Sequence, residues 1–177
     1  MLLMTSYFTD GSASPNPGPG GFAVIKNAKP YLIGSEPTRE NPLILANGEK
    51  IISEISRNYT TNIRMESLAL LSALNDFLTS RKNDETCEIT TDSEFWINVL
   101  TKWAPAWSRN GWQKKGGIKN LDLVKPLFAM WIEAEKLGAK LVWTRGHVGT
   151  ELNELADEWA NAARRRKVCG VEKVGEE

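Results

Sequence analysis

Cysteine and histidine are scarce in this sequence. Its 177 residues contain only two cysteines, Cys87 and Cys169, and one histidine, His147. The cysteines lie far apart in the chain and match no metal-ligand spacing, which indicates reduced thiols. No disulfide is therefore needed to explain the fold.

Long apolar runs are also lacking, and none approaches the roughly 20 residues that a membrane span needs. The first residues, 1–12, carry no basic segment and include an acid at Asp10, so they do not predict a secretory signal. We therefore expect a cytoplasmic protein without a membrane segment. A chain of this length buries roughly 70% of its unfolded surface, which is enough for one domain with a proper core.

An excess of charge of either sign is absent as well, since 22 basic residues balance 22 acidic ones. Composition alone thus gives no sign of a nucleic-acid partner, but residues 102–125 form a basic segment with one acid, Asp122, and interleaved tryptophans. This segment favours nucleic-acid binding; the alternative is a solvated loop with tryptophans reaching the core. Its basic residues and tryptophans are Lys102, Arg109, Lys114, Lys115, Lys119 and Lys125, with Trp103, Trp107 and Trp112.

A second basic run, 164–167, ends the last predicted helix. Cations at that position complement the helix dipole, so helix capping and ligand binding are equally good interpretations of this run.

Hydrophobic periodicity and turn residues predict an alternation of strands and helices. The connector between the first two strands predicts a hairpin. Residues 27–49 are polar and rich in prolines, and we expect a long, partly mobile loop or an extended hairpin with a small strand at YLIG. Residues 168–177 are expected to form a disordered tail. The predicted strands are 2–9, 22–26, 50–56, 86–91 and 141–144, and the predicted helices are 63–79, 93–103, 121–137 and 151–166.

Three acids stand at the ends of these elements: Asp10 ends the first strand, Glu66 enters the first helix and Asp92 ends the fourth strand. Taken singly, each fits an ordinary role as a turn residue, a helix-dipole partner or a helix cap. None lies in a polar run, however, and a buried carboxylate needs a hydrogen bond, a proton or a metal ion. Oxygen ligands of this kind select magnesium or manganese.

Four motifs surround these acids: FTDGSASPNPGPGG at 8–21, TTNIRMES at 60–67, TDSEF at 91–95 and GHVGTELNELAD at 146–157. Together they resemble type 1 ribonuclease H of the bacterial kind, which has a basic protrusion. The resemblance runs in order from about residue 3 to 166, and we assign the domain to residues 1–167. It implies an α/β fold with a mixed five-stranded sheet flanked by helices.

The resemblance implies an endonuclease that cuts the RNA strand of RNA/DNA hybrids and leaves a 5′-phosphate and a 3′-hydroxyl. In the family, the acids matching Asp10, Glu66, Asp92 and Asp157 hold two Mg²⁺ ions, with Mn²⁺ as an alternative. One ion lowers the pKa of the attacking water and the other neutralises the leaving oxygen. The histidine matching His147 assists proton transfer or product departure. A monomer is expected.

The same resemblance implies contacts to the RNA strand from Gly11, Asn16 and Asn62. The chain departs from many relatives at Ile63, where they carry a second asparagine, and at Glu94, where they carry glutamine.

For the DNA strand, the resemblance implies two regions. The first is a phosphate pocket at Thr61 and Asn120, where Tyr59 replaces an arginine of some relatives and Arg57 is a candidate to compensate. The second is the basic protrusion, with Trp103, Trp107, Lys114, Lys115 and Lys119.

Two alternatives differ in what they require of the sequence. Another metal nuclease or an integrase on the same fold would lack the TTNxRME and GHxG contexts together. An inactive hybrid-binding module would keep the protrusion and lose acids, whereas this chain has all four.

Overall fold

A mixed six-stranded sheet forms the centre of the computed structural model, which describes residues 3–145 and 151–175. The strand order is β7-β6-β1-β2-β3-β8; β1 is antiparallel to β2 and parallel to β6, and β6 is parallel to β7. A mixed sheet flanked by helices is therefore confirmed, with six strands in place of five. The strands of this sheet are β1 Met4–Ala13, β2 Gly20–Lys26, β3 Lys29–Gly34, β6 Thr86–Thr91, β7 Lys140–Trp143 and β8 Val171–Lys173.

The sixth strand, β8, comes from the tail that was expected to be disordered, and it corrects that expectation. Val171–Lys173 pairs antiparallel with Leu32–Gly34, the otherwise open edge of β3. Edge strands carry unpaired backbone groups, and pairing satisfies them. Val168, just before β8, is buried against Ala23 and Ile33.

The third strand of the sheet is Lys29–Gly34 and not residues 50–56, so that prediction was wrong. Asn27 and Ala28 both have positive φ, which gives the two-residue turn that matches strand twist in a hairpin. Residues 50 and 51 instead form β5 (Lys50–Ile51), which pairs with β4 (Leu43–Ile44) in a separate two-stranded sheet.

Helices cover both faces of the main sheet. Alternate residues of β2 point to opposite sides, so Phe22 and Val24 face the larger core while Ala23 faces the smaller one. Helices α1 (Asn62–Ser80) and α4 (Leu121–Lys136) pack over the larger core, and α5 (Glu151–Arg165) packs on β2 and β1 from the other side.

The predicted helix after β6 is divided into three segments. These are α2 (Glu94–Asn98), a π-helical turn (Val99–Trp103) and α3 (Ala104–Arg109). Pro105 lies in the first turn of α3, where its missing N–H costs least. In the described ranges, no helix has the length and apolar character to cross a bilayer.

Candidate active site

Four carboxylates from four different elements meet in one cavity of about 370 Å³. They are Asp10 of β1, Glu66 of α1, Asp92 after β6 and Asp157 of α5. The remaining lining consists of small or polar residues and one arginine: Gly11, Ser12, Ala13, Ser14, Asn62, Asn161 and Arg164.

Strand register brings Asp10 and Asp92 together. β1 and β6 are adjacent and parallel, and Phe8 pairs with Thr90. Two residues further on, Asp10 and Asp92 therefore lie side by side, with Asp92 directly after the end of β6. Asp10 lies within β1, which continues to Ala13, and does not end the strand as predicted. The carboxyl ends of parallel strands are the usual place for α/β sites.

Glu66 enters the cavity because α1 packs unusually close to β1. Gly11 lies against the backbone of Met65 and Glu66, and a β-carbon at position 11 would overlap that backbone. Thr61 starts the helix, since its hydroxyl accepts a hydrogen bond from the Arg64 N–H (3.2 Å). The helix therefore begins at Asn62, one residue before the predicted start at residue 63.

Burial and mutual repulsion raise the pKa values of two of these acids well above the usual range for carboxyl groups. Burial, followed by the charge of Asp92, raises the pKa of Asp10 to about 9, although the Gly11 N–H (2.8 Å) opposes the shift. Asp157 adds to the increase through its charge and a hydrogen bond. Burial also raises the pKa of Glu66 to about 7, against a hydrogen bond with Ser93.

This arrangement suits a cation by its chemistry, because the donors are all hard oxygens and their charges are unbalanced. In residues 3–145 and 151–175, however, no three His, Cys, Asp or Glu side chains already form a group able to hold a metal ion. The four carboxylates line one cavity and would be the residues to hold such an ion.

The sequence prediction missed five cavity residues: Ser12, Ala13, Ser14, Asn161 and Arg164. Asn161 Nδ2 donates to the backbone carbonyl of Asp157 (3.0 Å). Asn161 Oδ1 accepts from Ser12 Oγ (3.0 Å) and from Arg164 (3.2 Å). Asp157, Asn161 and Arg164 lie on one helix face, because the second and third residues follow Asp157 by four and seven positions. This spacing was the signal by which Asn161 and Arg164 could have been found from the sequence.

Two asparagines expected to contact RNA connect the β1–β2 loop to the start of α1. Asn16 Oδ1 accepts from the Asn62 N–H (3.2 Å), and Asn62 Oδ1 accepts from the Ala13 N–H (2.6 Å). Asn62 and Gly11 line the cavity, whereas Asn16 is exposed beside it. Glu94 is exposed in the first turn of α2, and Ile63 is also exposed.

Thr61 and Asn120 come together through Arg64, a buried residue between them. Its guanidinium donates to both oxygens of Glu36 (2.8 and 3.0 Å) and of Asp122 (2.9 and 2.8 Å), and to Asn120 (3.2 Å). Burial alone would lower the pKa of Arg64, but these hydrogen bonds raise it overall. A pocket beside this cluster is also lined by Ile52, Glu54 and Ile55 from the segment before α1. Nothing in the sequence pointed to Glu36.

Arg57 does not compensate for Tyr59 in a phosphate pocket, which corrects that prediction. Its side chain is buried and donates to the backbone carbonyls of Val168 (2.8 Å), Gly20 (3.2 Å) and Arg164 (3.2 Å). A guanidinium surrounded by carbonyls has its donors occupied. Arg57 therefore holds the C-terminal segment against β2.

The tryptophans of the protrusion differ in their surroundings: some pack toward the core, and one is exposed and available for nucleic-acid binding. Trp112 packs edge-on against Phe128, and Trp107 packs partly against the core. Trp103 is exposed and lies 6.3 Å from the Trp107 ring. The three lysines expected to meet DNA are all exposed: Lys114, Lys115 and Lys119.

His147 lies outside the described residues, so its predicted role stays a prediction.

Comparison with known proteins agrees with this geometry. The model of the RNase H family matches residues 4–165. A ribonuclease H of Treponema pallidum is 34% identical over 165 residues, which cover 91% of this chain and 90% of that protein. A ribonuclease H of Salmonella arizonae is 36% identical over 167 residues, covering 92% and 90%.

Two solved structures share the fold. LC9-RNase H1, described as a type 1 RNase H with the type 2 active-site motif, aligns with a TM-score of 0.61 at 22% identity, over 99% of this chain and 79% of that chain. LC11-RNase H1, isolated from compost, aligns with a TM-score of 0.54 at 24% identity, over 93% and 97%.

The family match and the relatives show the class of protein: this is a nuclease, a hydrolase of nucleic acid. The chain belongs to the RNase H family. The resemblance drawn from the sequence motifs is thereby confirmed.

Proposed function

We propose that this enzyme cuts the RNA strand of RNA/DNA hybrids by a two-metal-ion mechanism that leaves a 5′-phosphate and a 3′-hydroxyl. Membership in the RNase H family supports endonucleolytic cleavage of RNA in such hybrids. One observation supports the mechanism above all others. Asp10, Glu66, Asp92 and Asp157 come from four separate elements and meet in a single polar cavity.

Those four carboxylates would hold two divalent cations, Mg²⁺ or Mn²⁺. The ions would supply an activated water and stabilisation of the leaving oxygen. The role of the protein is to keep the carboxylates close and partly desolvated. Asp10 and Glu66, whose pKa values are raised, would have to lose their protons in order to bind a cation.

The remaining roles concern proton transfer and the two strands. His147 would assist proton transfer or product departure, a role that suits histidine because the unperturbed pKa of an imidazole lies near neutral pH. Gly11, Asn16, Asn62 and Glu94 would contact the RNA strand, where the 2′-hydroxyl distinguishes RNA from DNA.

The DNA strand would lie along the Arg64 cluster and the protrusion. Thr61 and Asn120 would take a phosphate. The exposed lysines of the protrusion would add further phosphate contacts, and Trp103 and Trp107 would pack on sugars. We propose that the protein acts as a cytoplasmic monomer.

The test is a cleavage assay on three substrates: an RNA/DNA hybrid, single-stranded RNA and a DNA duplex. With Mg²⁺, only the hybrid should yield short RNA fragments, and a chelator should stop the reaction. End-group analysis should find 5′-phosphates. Equal cleavage of all three substrates, or unchanged cleavage with chelator, would contradict the proposal.

Variants of two neighbouring acids test the site itself. Asp157→Asn should remove most cleavage while hybrid binding survives, because the change alters charge and hardly alters shape. Glu158→Gln, an exposed neighbour on α5, is the matched control and should retain activity. Equal losses in both variants would argue against a local role of Asp157.

A further inference from the structure

Arg164 is the one cationic side chain among the described residues that line the carboxylate cavity. It belongs to the basic run 164–167, for which the sequence left helix capping and ligand binding equally open. Its neighbours Arg165 and Arg166 are exposed and do not line the cavity. The run therefore has one member that faces the site and others that face solvent.

The structure holds Arg164 in place from several directions. Its guanidinium donates to Asn161 Oδ1 (3.2 Å), and its backbone carbonyl accepts from Arg57 (3.2 Å). Gly21 lies so close to the Arg164 backbone N that a β-carbon there would overlap it. Arg164 is thus a half-buried, positioned side chain and not a free surface arginine.

The guanidinium has unused capacity for acceptors. In the part of the chain that the structure describes, Asn161 is the only side chain that accepts a hydrogen bond from Arg164, and no carboxylate forms an ion pair with it. Its Nε is buried without an acceptor in the same ranges. Because arginine offers five donors, a partly desolvated guanidinium of this kind favours an anionic ligand.

Its position separates it from the predicted metal ligands. Arg164 follows Asp157 by seven residues, which is about 10 Å along the helix axis, and its side chain leans back toward the helix N-terminus. The guanidinium therefore lies beside the carboxylates and on the same wall. An anion bound there would be next to the phosphate at the carboxylates.

We propose that Arg164, positioned by Asn161, binds a phosphate of the RNA strand adjacent to the scissile one. This inference rests on the proposed function. A planar guanidinium suits a phosphodiester, since two donors can reach its two anionic oxygens. The contact also offsets the repulsion that the acidic cavity exerts on the strand.

The test measures hybrid binding in an uncleaving background. Asp10→Asn and Asp10→Asn/Arg164→Gln are compared for their affinity over a range of salt concentrations. Loss of a charge-assisted contact should weaken binding about tenfold. The slope of log K against log salt should fall by about 0.9, the value for one phosphate contact in a duplex.

The matched control is Arg165→Gln, which removes the same charge from the next position of α5. It should leave affinity and slope nearly unchanged. Equal effects of the two variants, or no effect of Arg164→Gln, would overturn the proposal.

A neutral methylphosphonate linkage then locates the contact. Placed in the RNA strand next to the cleaved position, it should weaken binding to the Asp10→Asn protein about tenfold, and no further when Arg164 is also replaced. Additive losses at every linkage position would overturn the assignment. The cleavage assay is separate, so a hybrid that binds as expected but is not cut would count against the proposed function only.

Arg164→Lys covers the case in which the glutamine variant fails to fold. It keeps the charge and loses the two-donor geometry. The salt slope should stay unchanged while KM for cleavage rises about threefold to tenfold and kcat changes little. An unchanged KM would contradict the proposal.

Discussion

Burial in a shared cavity raises the pKa of individual carboxylates at this site. Asp10 is the clearest case, because burial and the charge of Asp92 raise its pKa from 3.8 to about 9. A group whose folded pKa lies above its unfolded value contributes stability at low pH and loses it as pH rises through the folded value. The metal-free protein should therefore lose stability between about pH 4 and pH 9.

This effect predicts that Asp10→Asn stabilises the metal-free protein. The gain in free energy of unfolding should be about 2 kcal/mol at pH 8 and close to zero at pH 4. Urea unfolding with a chelator at both pH values measures it. Glu158→Gln, an exposed control on α5, should show no such pH dependence. A destabilised Asp10→Asn protein at pH 8 would refute this account.

Residue-scale reasoning predicted much of the site from the sequence. Asp10, Glu66 and Asp92 stood out by their places at element ends, and Asp157 by its motif. Glu36 could not be found in that way, because it acquires its surroundings from distant segments, whereas the seven-residue spacing of Arg164 from Asp157 on α5 was an available signal. Glu36 pairs with Arg64 and accepts from Thr60 and Ser53, all remote in sequence.

At the scale of elements, the C-terminal segment depends on one buried side chain. Arg57 donates to carbonyls of Gly20, Arg164 and Val168, and so connects β2, the end of α5 and the approach to β8. Buried carbonyls that lose their donors retain the full cost of desolvation.

Arg57→Ala should lower the free energy of unfolding by about 3 kcal/mol. Hydrogen exchange should also accelerate at the Val174 amide, which donates to Tyr31 (2.9 Å) at the β3–β8 edge. Arg81→Ala is the control, because within the described residues Arg81 donates only to the nearby Glu85 carbonyl. Unchanged exchange at Val174 would show that β8 is held independently.

The protrusion is an element with a predicted electrostatic role. Replacing Lys114 and Lys115 with alanine should raise KM and reduce the salt slope of hybrid binding by about 1–2, since each phosphate contact contributes about 0.9. The double variant of Lys29 and Lys82 is the control, because those exposed lysines line a cavity at the opposite end of the sheet. Equal slopes in both double variants would favour the solvated-loop interpretation.

Whether a predicted strand was confirmed depends on the neighbouring strands with which the segment can pair. The strand at 86–91 has the predicted bounds, since its alternation reflects a sheet position between β1 and β7. Residues 50–56 looked like a strand, but Ile52 and Ile55 remain exposed. β8 is short and polar, and only the open edge of β3 makes it a strand.

For the whole molecule, a net charge of zero hides a separation of charge. The cavity gathers four acids, whereas the protrusion gathers exposed lysines. The two regions are suited to different partners, cations for the first and phosphates for the second.

Loading the cavity with Mg²⁺ should release about one proton at pH 8, chiefly from Asp10, whose pKa is about 9. Glu66, with a pKa of about 7, should contribute below that pH. Metal affinity should therefore rise from pH 6 to pH 9. Calorimetry in buffers of different ionisation enthalpy measures the proton count, and a count of zero would contradict the raised pKa values.

The sequence by itself determined the alternation of strands and helices, the hairpin at its start and the choice of Asp10, Glu66 and Asp92 as candidate site residues. These follow from local propensity and periodicity, which act between near neighbours. The tertiary structure alone decided the six-strand order, the role of the tail as β8, the burial of Arg57 and the surroundings of Glu36. Each of these depends on pairing and packing between segments far apart in the chain, and local patterns do not encode which distant surface a segment will meet.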